Sequence, residues 1–237
     1  MQTQKNNKIT MKEINEEKTT TQEVSDFISK TELFFEKNQK TIYIVLAAIV
    51  IVVAGYFALT KWYFEPRSEE AAAEMFMAEN YFDNLDYEKA LNGDGQNGLG
   101  FVDIISDYKG TKSANLARYY AGLCELHLGH FESAIDYLKS YSAKDSYTGS
   151  LALMAQGDAN AELKDNAKAI SLYEKAAAKG DNSIVAPAAL FKAAMLYIAE
   201  GNNDKAVKSL KQIKEKYPES TEYSEVDKYI AFAENQK

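Results

Sequence analysis

Residues 41–60 read TIYIVLAAIVIVVAGYFALT, a run without a single charge, bounded by Lys40 and Lys61. A helix of about 20 apolar residues rises about 30 Å, the thickness of a bilayer's hydrocarbon core. Its backbone groups are satisfied within the helix, and its Ile, Val, Leu and Ala side chains suit lipid. Tyr43 stands near one end and Trp62, Tyr63 and Phe64 follow the other, at the depth where interfacial aromatics collect. A buried core helix of this length would carry a polar stripe, and this one carries none. Forty residues precede the run, no A-x-A pattern follows it, and it is longer than the apolar part of a cleaved signal, about 7–15 residues. The segment is therefore expected to be an uncleaved transmembrane anchor. No cysteine lies near enough to acylate it.

The flanks refine this expectation. Residues 1–20 are polar and include the run KTTT, which predicts a disordered tail. Val24, Phe27, Ile28, Thr31, Phe34 and Phe35 then recur at helical spacing, with Lys30, Glu32, Glu36 and Lys37 on the other side. That spacing predicts an amphipathic juxtamembrane helix over 21–40. Lys30, Lys37 and Lys40 precede the span, and Lys61 and Arg67 follow it. Three basic residues against two predict a cytoplasmic N-terminus, with the larger domain outside the cytoplasm.

The net charge of −8 is unevenly placed. Residues 1–40 hold seven lysines and seven acids, whereas residues 61–237 hold 20 basic and 28 acidic side chains. An acidic domain repels phosphates, which argues against nucleic acid as a partner. Cys124 is the single cysteine, so the fold has no intramolecular disulfide. Beyond Glu65 the apolar spacing is helical, with no sustained alternation, and the expected class is all-α.

The chain then repeats itself. LARYYAGLCELHLGHFESAIDYLKSY from Leu116, LALMAQGDANAELKDNAKAISLYEKA from Leu151 and AALFKAAMLYIAEGNNDKAVKSLKQI from Ala188 align with one another. Gly122, Gly157 and Ala194 are equivalent small residues of a first helix, and Ala134, Ala169 and Ala206 of a second, at spacings of 35 and 37 residues. Gly129 and Gly201 fall in the turn between the two helices, where a positive φ is needed. An earlier unit is cryptic: Ala78, Tyr81 and Ala90 match, but Asn92-GDGQNGLG interrupts the second helix before Phe101-VDIISDY resumes it.

These features resemble the tetratricopeptide repeat, a helix–turn–helix unit of about 34 residues. Ala176 and Pro218 stand where the family places its closing Ala and Pro. Departures are Lys164 for the turn glycine, Glu125 and Asn160 for an aromatic, and Tyr141 and Ile213 for the closing Ala. The resemblance implies a helical solenoid over 66–237. Its units lie near 68–110 (with an inserted loop at 92–100), 114–147, 149–180 and 186–218, and a cap helix covers 220–234. It also implies a concave, protein-binding face on the first helices. Mapped onto this chain, that face comprises Met75, Glu79, Phe82, Tyr119, Leu123, Leu126, Met154, Asp158, Phe191, Met195 and Ile198. Methionine and aromatic side chains suit adaptable apolar contacts. The same residues could pack within the array or pair two copies. The Lys, Arg and Asn of the family's carboxylate clamp are absent from these places.

No chemistry of catalysis emerges. Cys124, Glu125, His127 and His130 suggest a metal cluster or a Cys–His pair, but zinc asks for three or four ligands and these are the only histidines. Cys124 reads instead as a small core residue. Asn92, Asp94, Gln96 and Asp103 are spaced like a calcium loop, yet Asn97 occupies the required glycine position. With four glycines in nine residues, the segment reads as a mobile contact loop. No phosphate loop or nucleophile elbow is present. The expectation is a protein without enzymatic activity, metal or cofactor.

One apolar span followed by degenerate tetratricopeptide units, with the segment YYAGLCELHLGHFESAIDYL and a glycine-broken first repeat, is similar to the bacterial YfgM-like family of ancillary SecYEG translocon subunits. The resemblance covers residues 25–235. It implies an inner-membrane protein with a periplasmic repeat domain, whose partners are translocon subunits, a membrane-anchored chaperone and exported client proteins. A scaffold for another cell-envelope complex is the alternative.

Overall fold

The computed structural model describes residues 36–96, 98–180 and 182–236, in two compact units, Met1–Lys61 and Trp62–Lys237. The tail expected over 1–20 and the amphipathic helix over 21–35 lie outside the described residues. In the first unit, residues 36–59 form helix α1. None of its most apolar stretch is buried, and side chains from Ile44 to Leu59 face outward. Among the described residues, the helical run Glu36–Asp83 that contains it is the one long and apolar enough to cross a membrane. A π-helical turn occupies Thr60–Phe64, where the Thr60 hydroxyl donates to the Tyr56 carbonyl at 2.8 Å.

The second unit contains α2 (Glu65–Asp83), α3 (Tyr87–Asn92), α4 (Phe101–Asp107), α5 (Lys112–His127) and α6 (Phe131–Ser140). It continues with α7 (Ser146–Glu162), α8 (Asn166–Lys179), α9 (Val185–Ala199), α10 (Asn203–Lys216) and α11 (Tyr223–Asn235). No strand occurs among the described residues. Each helix packs on the next, and the first helices α2, α5, α7 and α9 also neighbour one another in that order. This is the solenoid arrangement, in which each unit buries its apolar face only against its neighbours.

Four turns join the paired helices in one way. Leu85, Gly129, Lys164 and Gly201 adopt left-handed φ values of 63°, 82°, 64° and 72°. The following N–H reaches back to the carbonyl five residues earlier: Asp86 to Tyr81 at 2.9 Å, His130 to Glu125 at 2.8 Å, Asp165 to Asn160 at 2.9 Å and Asn202 to Tyr197 at 2.8 Å. This is the Schellman closure, which satisfies the last carbonyls of the first helix and reverses the chain.

The interior is built on small residues. Ala78, Ala90, Ala134, Ala169, Ala194 and Ala206 are completely buried. A Cβ added at Gly122 would lie 2.6 Å from Leu138 Cγ, and one at Gly157 would lie 2.5 Å from the Tyr173 ring. Absence of a side chain at these two positions is what lets a bulky residue of the second helix seat against the first. The residues that depart from the repeat pattern are accommodated locally. Asn160 is buried but donates to the Gln156 carbonyl at 2.6 Å, and Glu125 pairs with His130 at 2.7 Å.

The described part of the inserted segment is organised around Asp94. The Asp94 carboxylate accepts the backbone N–H groups of Gln96 and Gly98 at 2.9 and 3.0 Å and the Tyr81 hydroxyl at 3.0 Å. Gly100 approaches the Gly93 backbone so closely that a Cβ there would sit 2.3 Å from Gly93 N. Gly93 and Gly100 serve close backbone packing beside this aspartate, and that compactness lets α4 follow α3 as one interrupted second helix.

Candidate protein-binding face

The eleven residues marked by sequence all lie on the first helices, α2, α5, α7 and α9, and ten of them are half-buried. Met75 is different: only 3% of its surface is exposed, and it packs in the first core cluster with Ala71, Ala78 and Ile104. Phe82 sits edge-on to Tyr120 and Tyr87, with ring centroids at 5.3 and 5.5 Å. Tyr119 lies 5.3 Å from Tyr141, whose hydroxyl is 3.0 Å from Thr148 Oγ1. Leu123 and Leu126 pack with Tyr119 against Leu138, Ala152 and Ala155. Met154, Phe191, Met195 and Ile198 pack against the last core cluster, and Phe191 meets Tyr229 of α11 edge-on at 5.3 Å. The stripe is therefore continuous, partly solvent-facing and seated on the core beneath it.

Asp158 of the stripe has an internal role. Asp158 Oδ1 accepts the Tyr173 hydroxyl at 2.7 Å and the Lys192 ammonium at 2.6 Å, tying α7 to its own second helix and to the next unit. Burial, with help from Asp158, pushes the Tyr173 phenol above its ordinary range. The Tyr119 phenol is pushed up to about 12 by burial beside Tyr120, Tyr141 and Tyr147. Burial and the nearby Asp83 carboxylate raise the Glu79 carboxyl above the usual range. The one phenol of the stripe, Tyr119, is thus held in its neutral form.

Tyr120 and Lys192 belong to this region but were not marked by the sequence pattern. Lys192 lies one turn before Met195 on the same helix face, a spacing readable from the sequence; Tyr229 lies on the cap helix, which no repeat pattern marks. The chemical candidates are occupied otherwise. Cys124 is fully buried, and burial pushes its thiol up to about 12, far from a thiolate nucleophile. The His127 ring stacks on Tyr87 at 4.3 Å, and His130 pairs with Glu125. Asp103 accepts the Gly100 N–H at 3.3 Å, so both carboxylates of the would-be calcium loop are bonded within the chain. Among the described residues no group of three or more His, Cys, Asp or Glu is placed to hold a metal ion.

Two family models, each described as a tetratricopeptide repeat, match residues 129–184 and 188–220. The first spans α6 to α8 and the second α9 and α10. No curated protein matches the chain. Fold and matches together give a helical solenoid with tetratricopeptide repeats over 129–184 and 188–220, preceded by one helix long and apolar enough to cross a membrane. Such repeats are protein–protein interaction modules, and neither match is to a catalytic family.

Proposed function

We propose that this protein is an ancillary subunit of a bacterial protein-export channel. In this reading α1 anchors it in the inner membrane with its N-terminus in the cytoplasm. The repeat domain lies on the periplasmic side, where it receives emerging envelope proteins or passes them to a membrane-anchored chaperone. One observation carries the reading: a chain with one fully exposed apolar helix also presents a continuous, half-exposed stripe of Tyr119, Leu123, Leu126, Met154, Phe191, Met195 and Ile198. Flexible methionines among rigid aromatics suit segments that share apolar character rather than sequence.

The scaffold reading has its own support. Asp158 is already paired to Tyr173 and Lys192, and Phe191 is backed by Tyr229, so part of the stripe has a fixed shape. A fixed shape favours one dedicated partner of an envelope complex.

The test is purification of the full chain from mildly solubilised membranes, wild type against a Tyr119→Glu, Met195→Glu variant shown to keep its helical content and Tm. Channel subunits and several exported proteins that are retained by the wild type and lost with the variant support the export reading. A single stoichiometric complex of another kind supports the scaffold. Recovery that ignores the substitutions overturns both.

A further inference from the structure

The leading edge of the array differs from every later junction. By register, Phe76 of α2 is equivalent to Tyr120 of α5, Ala155 of α7 and Lys192 of α9. In each later unit this position contacts the unit before it. Tyr120 meets Phe82 and Phe101 with centroids at 5.3 and 5.2 Å, Ala155 is buried beside Leu138, and Lys192 reaches Asp158. Among the described residues no repeat unit precedes α2, and Phe76 is 67% exposed. Ala73, whose equivalents Ala117, Ala152 and Ala189 are all buried, is exposed beside it. On the same helical stripe, Glu69 and Asp83 stand two turns to either side of Phe76, and both are exposed. The edge is thus an apolar centre with acidic ends, within a stretch, 62–110, that holds eleven acidic and three basic residues.

The opposite character occurs on the second helices of the last two units. Helices α8 and α10 carry eight lysines against Glu174, Asp204 and Glu215. Among the described residues only Lys211 and Lys214 of these pair with carboxylates, on α11. Between α8 and α10 runs a groove of about 470 Å³. It is lined by Ala177, Leu190 and Tyr197 together with Lys205 and Lys208, and the Lys205 ammonium lies over the Tyr197 ring, 5.3 Å from its centroid. Glu174 also lines it, but accepts the Tyr197 hydroxyl at 2.7 Å.

We propose that the leading edge of one copy docks into the α8–α10 groove of a second copy, with Phe76 entering the groove and Glu69 and Asp83 facing its lysines. Charge complementarity selects this occupant. Two leading edges placed face to face would oppose like charges, which disfavours that pairing. The two surfaces are different patches of one chain, so the contact is heterologous: two of them about a two-fold axis close a dimer, and one alone propagates a chain.

The test is disulfide trapping of the full chain in native membranes, co-expressing differently tagged Phe76→Cys and Ala178→Cys copies. Native Cys124 is buried and does not compete. A mixed-tag disulfide should form under mild oxidation, exceed that of Phe76→Cys with Ser133→Cys on α6, and weaken as salt is raised. Glu69→Lys with Asp83→Lys should abolish it, and adding Lys205→Glu with Lys208→Glu on the partner should restore it. A signal no greater than the Ser133→Cys control, a dominant Phe76→Cys pair with itself, or failure of the charge swap to restore the adduct would overturn the proposal.

Discussion

Two of the four inter-helix turns are made by glycine and two are not. Gly129 and Gly201 reverse the chain after α5 and α9, while Leu85 and Lys164 take the same left-handed conformation after α2 and α7, with φ of 63° and 64°. An L-residue pays about 1–2 kcal/mol there for the clash of its Cβ with the carbonyl that follows. The backbone closure is nonetheless the same in all four, because the helices on each side are already fixed by buried alanines and by α2–α5 and α7–α9 packing. Tertiary packing sets the turn, and glycine only lowers its local cost. The small residue of the first helix shows the reverse dependence. Units two and three require Gly122 and Gly157, while Ala78 and Ala194 hold the place in units one and four.

That contrast can be broken most severely at the helix contacts. Gly122→Leu or Gly157→Leu should cost about 3 kcal/mol, since the new side chain has no space beside Leu138 or Tyr173. The urea midpoint of the full chain in detergent would read this directly. Ala78→Gly and Ala194→Gly should cost only about 1 kcal/mol by comparison, the helix-propensity penalty.

Asp158→Ala comes next. It removes the acceptor of Tyr173 and Lys192; with both charged groups partly solvated, about 1 kcal/mol is expected. A Lys192→Met variant combined with it should show less than the additive loss in a double-mutant cycle.

The turns themselves give smaller effects of predicted sign. Leu85→Gly and Lys164→Gly should each raise stability by up to about 1 kcal/mol, partly offset by the entropy of an added glycine. Leu85 is 70% exposed, so little packing is lost with it. Gly129→Ala and Gly201→Ala should lower stability by about 1 kcal/mol. Equal effects of opposite sign at the two kinds of turn would mark the four as equivalent; a loss on Leu85→Gly would set the first unit apart.

The smallest effect is one of pH. Burial and Asp83 raise the Glu79 carboxyl, so above its unfolded value the native state holds more protons than the unfolded chain. Stability should then fall as pH rises from the ordinary carboxylate range through the raised value. Glu79→Gln should flatten that slope in a pH series of Tm.

Much of this architecture was legible because solenoids write their packing into periodic small residues. Gly122, Gly157 and Ala194, with Ala134, Ala169 and Ala206, were readable as helix contacts, and the uncharged run 41–60 as a helix long and apolar enough to cross a membrane. Leu85 was not readable as a turn residue, since nothing in its chemistry asks for a positive φ. The hydrogen bonds of Asp94 in the 92–100 segment were not readable either, because glycine allows mobility and close backbone approach equally. Met75 was marked as surface by register, but an interrupted second helix lets α4 cover it, and Ile104 shares its cluster. The Asp158–Lys192 pair depends on how two units stack, which a one-dimensional repeat does not specify.

Site-specific photo-cross-linking in cells tests the central claim, that the first-helix stripe is where this protein meets other proteins. The probe would replace Tyr119, Phe191 or Met195, with exposed Lys168 of α8 as the reference position. Adducts to export-channel subunits and newly exported proteins at the three stripe positions, and not at Lys168, are the predicted result. Adducts of equal yield at all four positions, or none from the stripe, would contradict it.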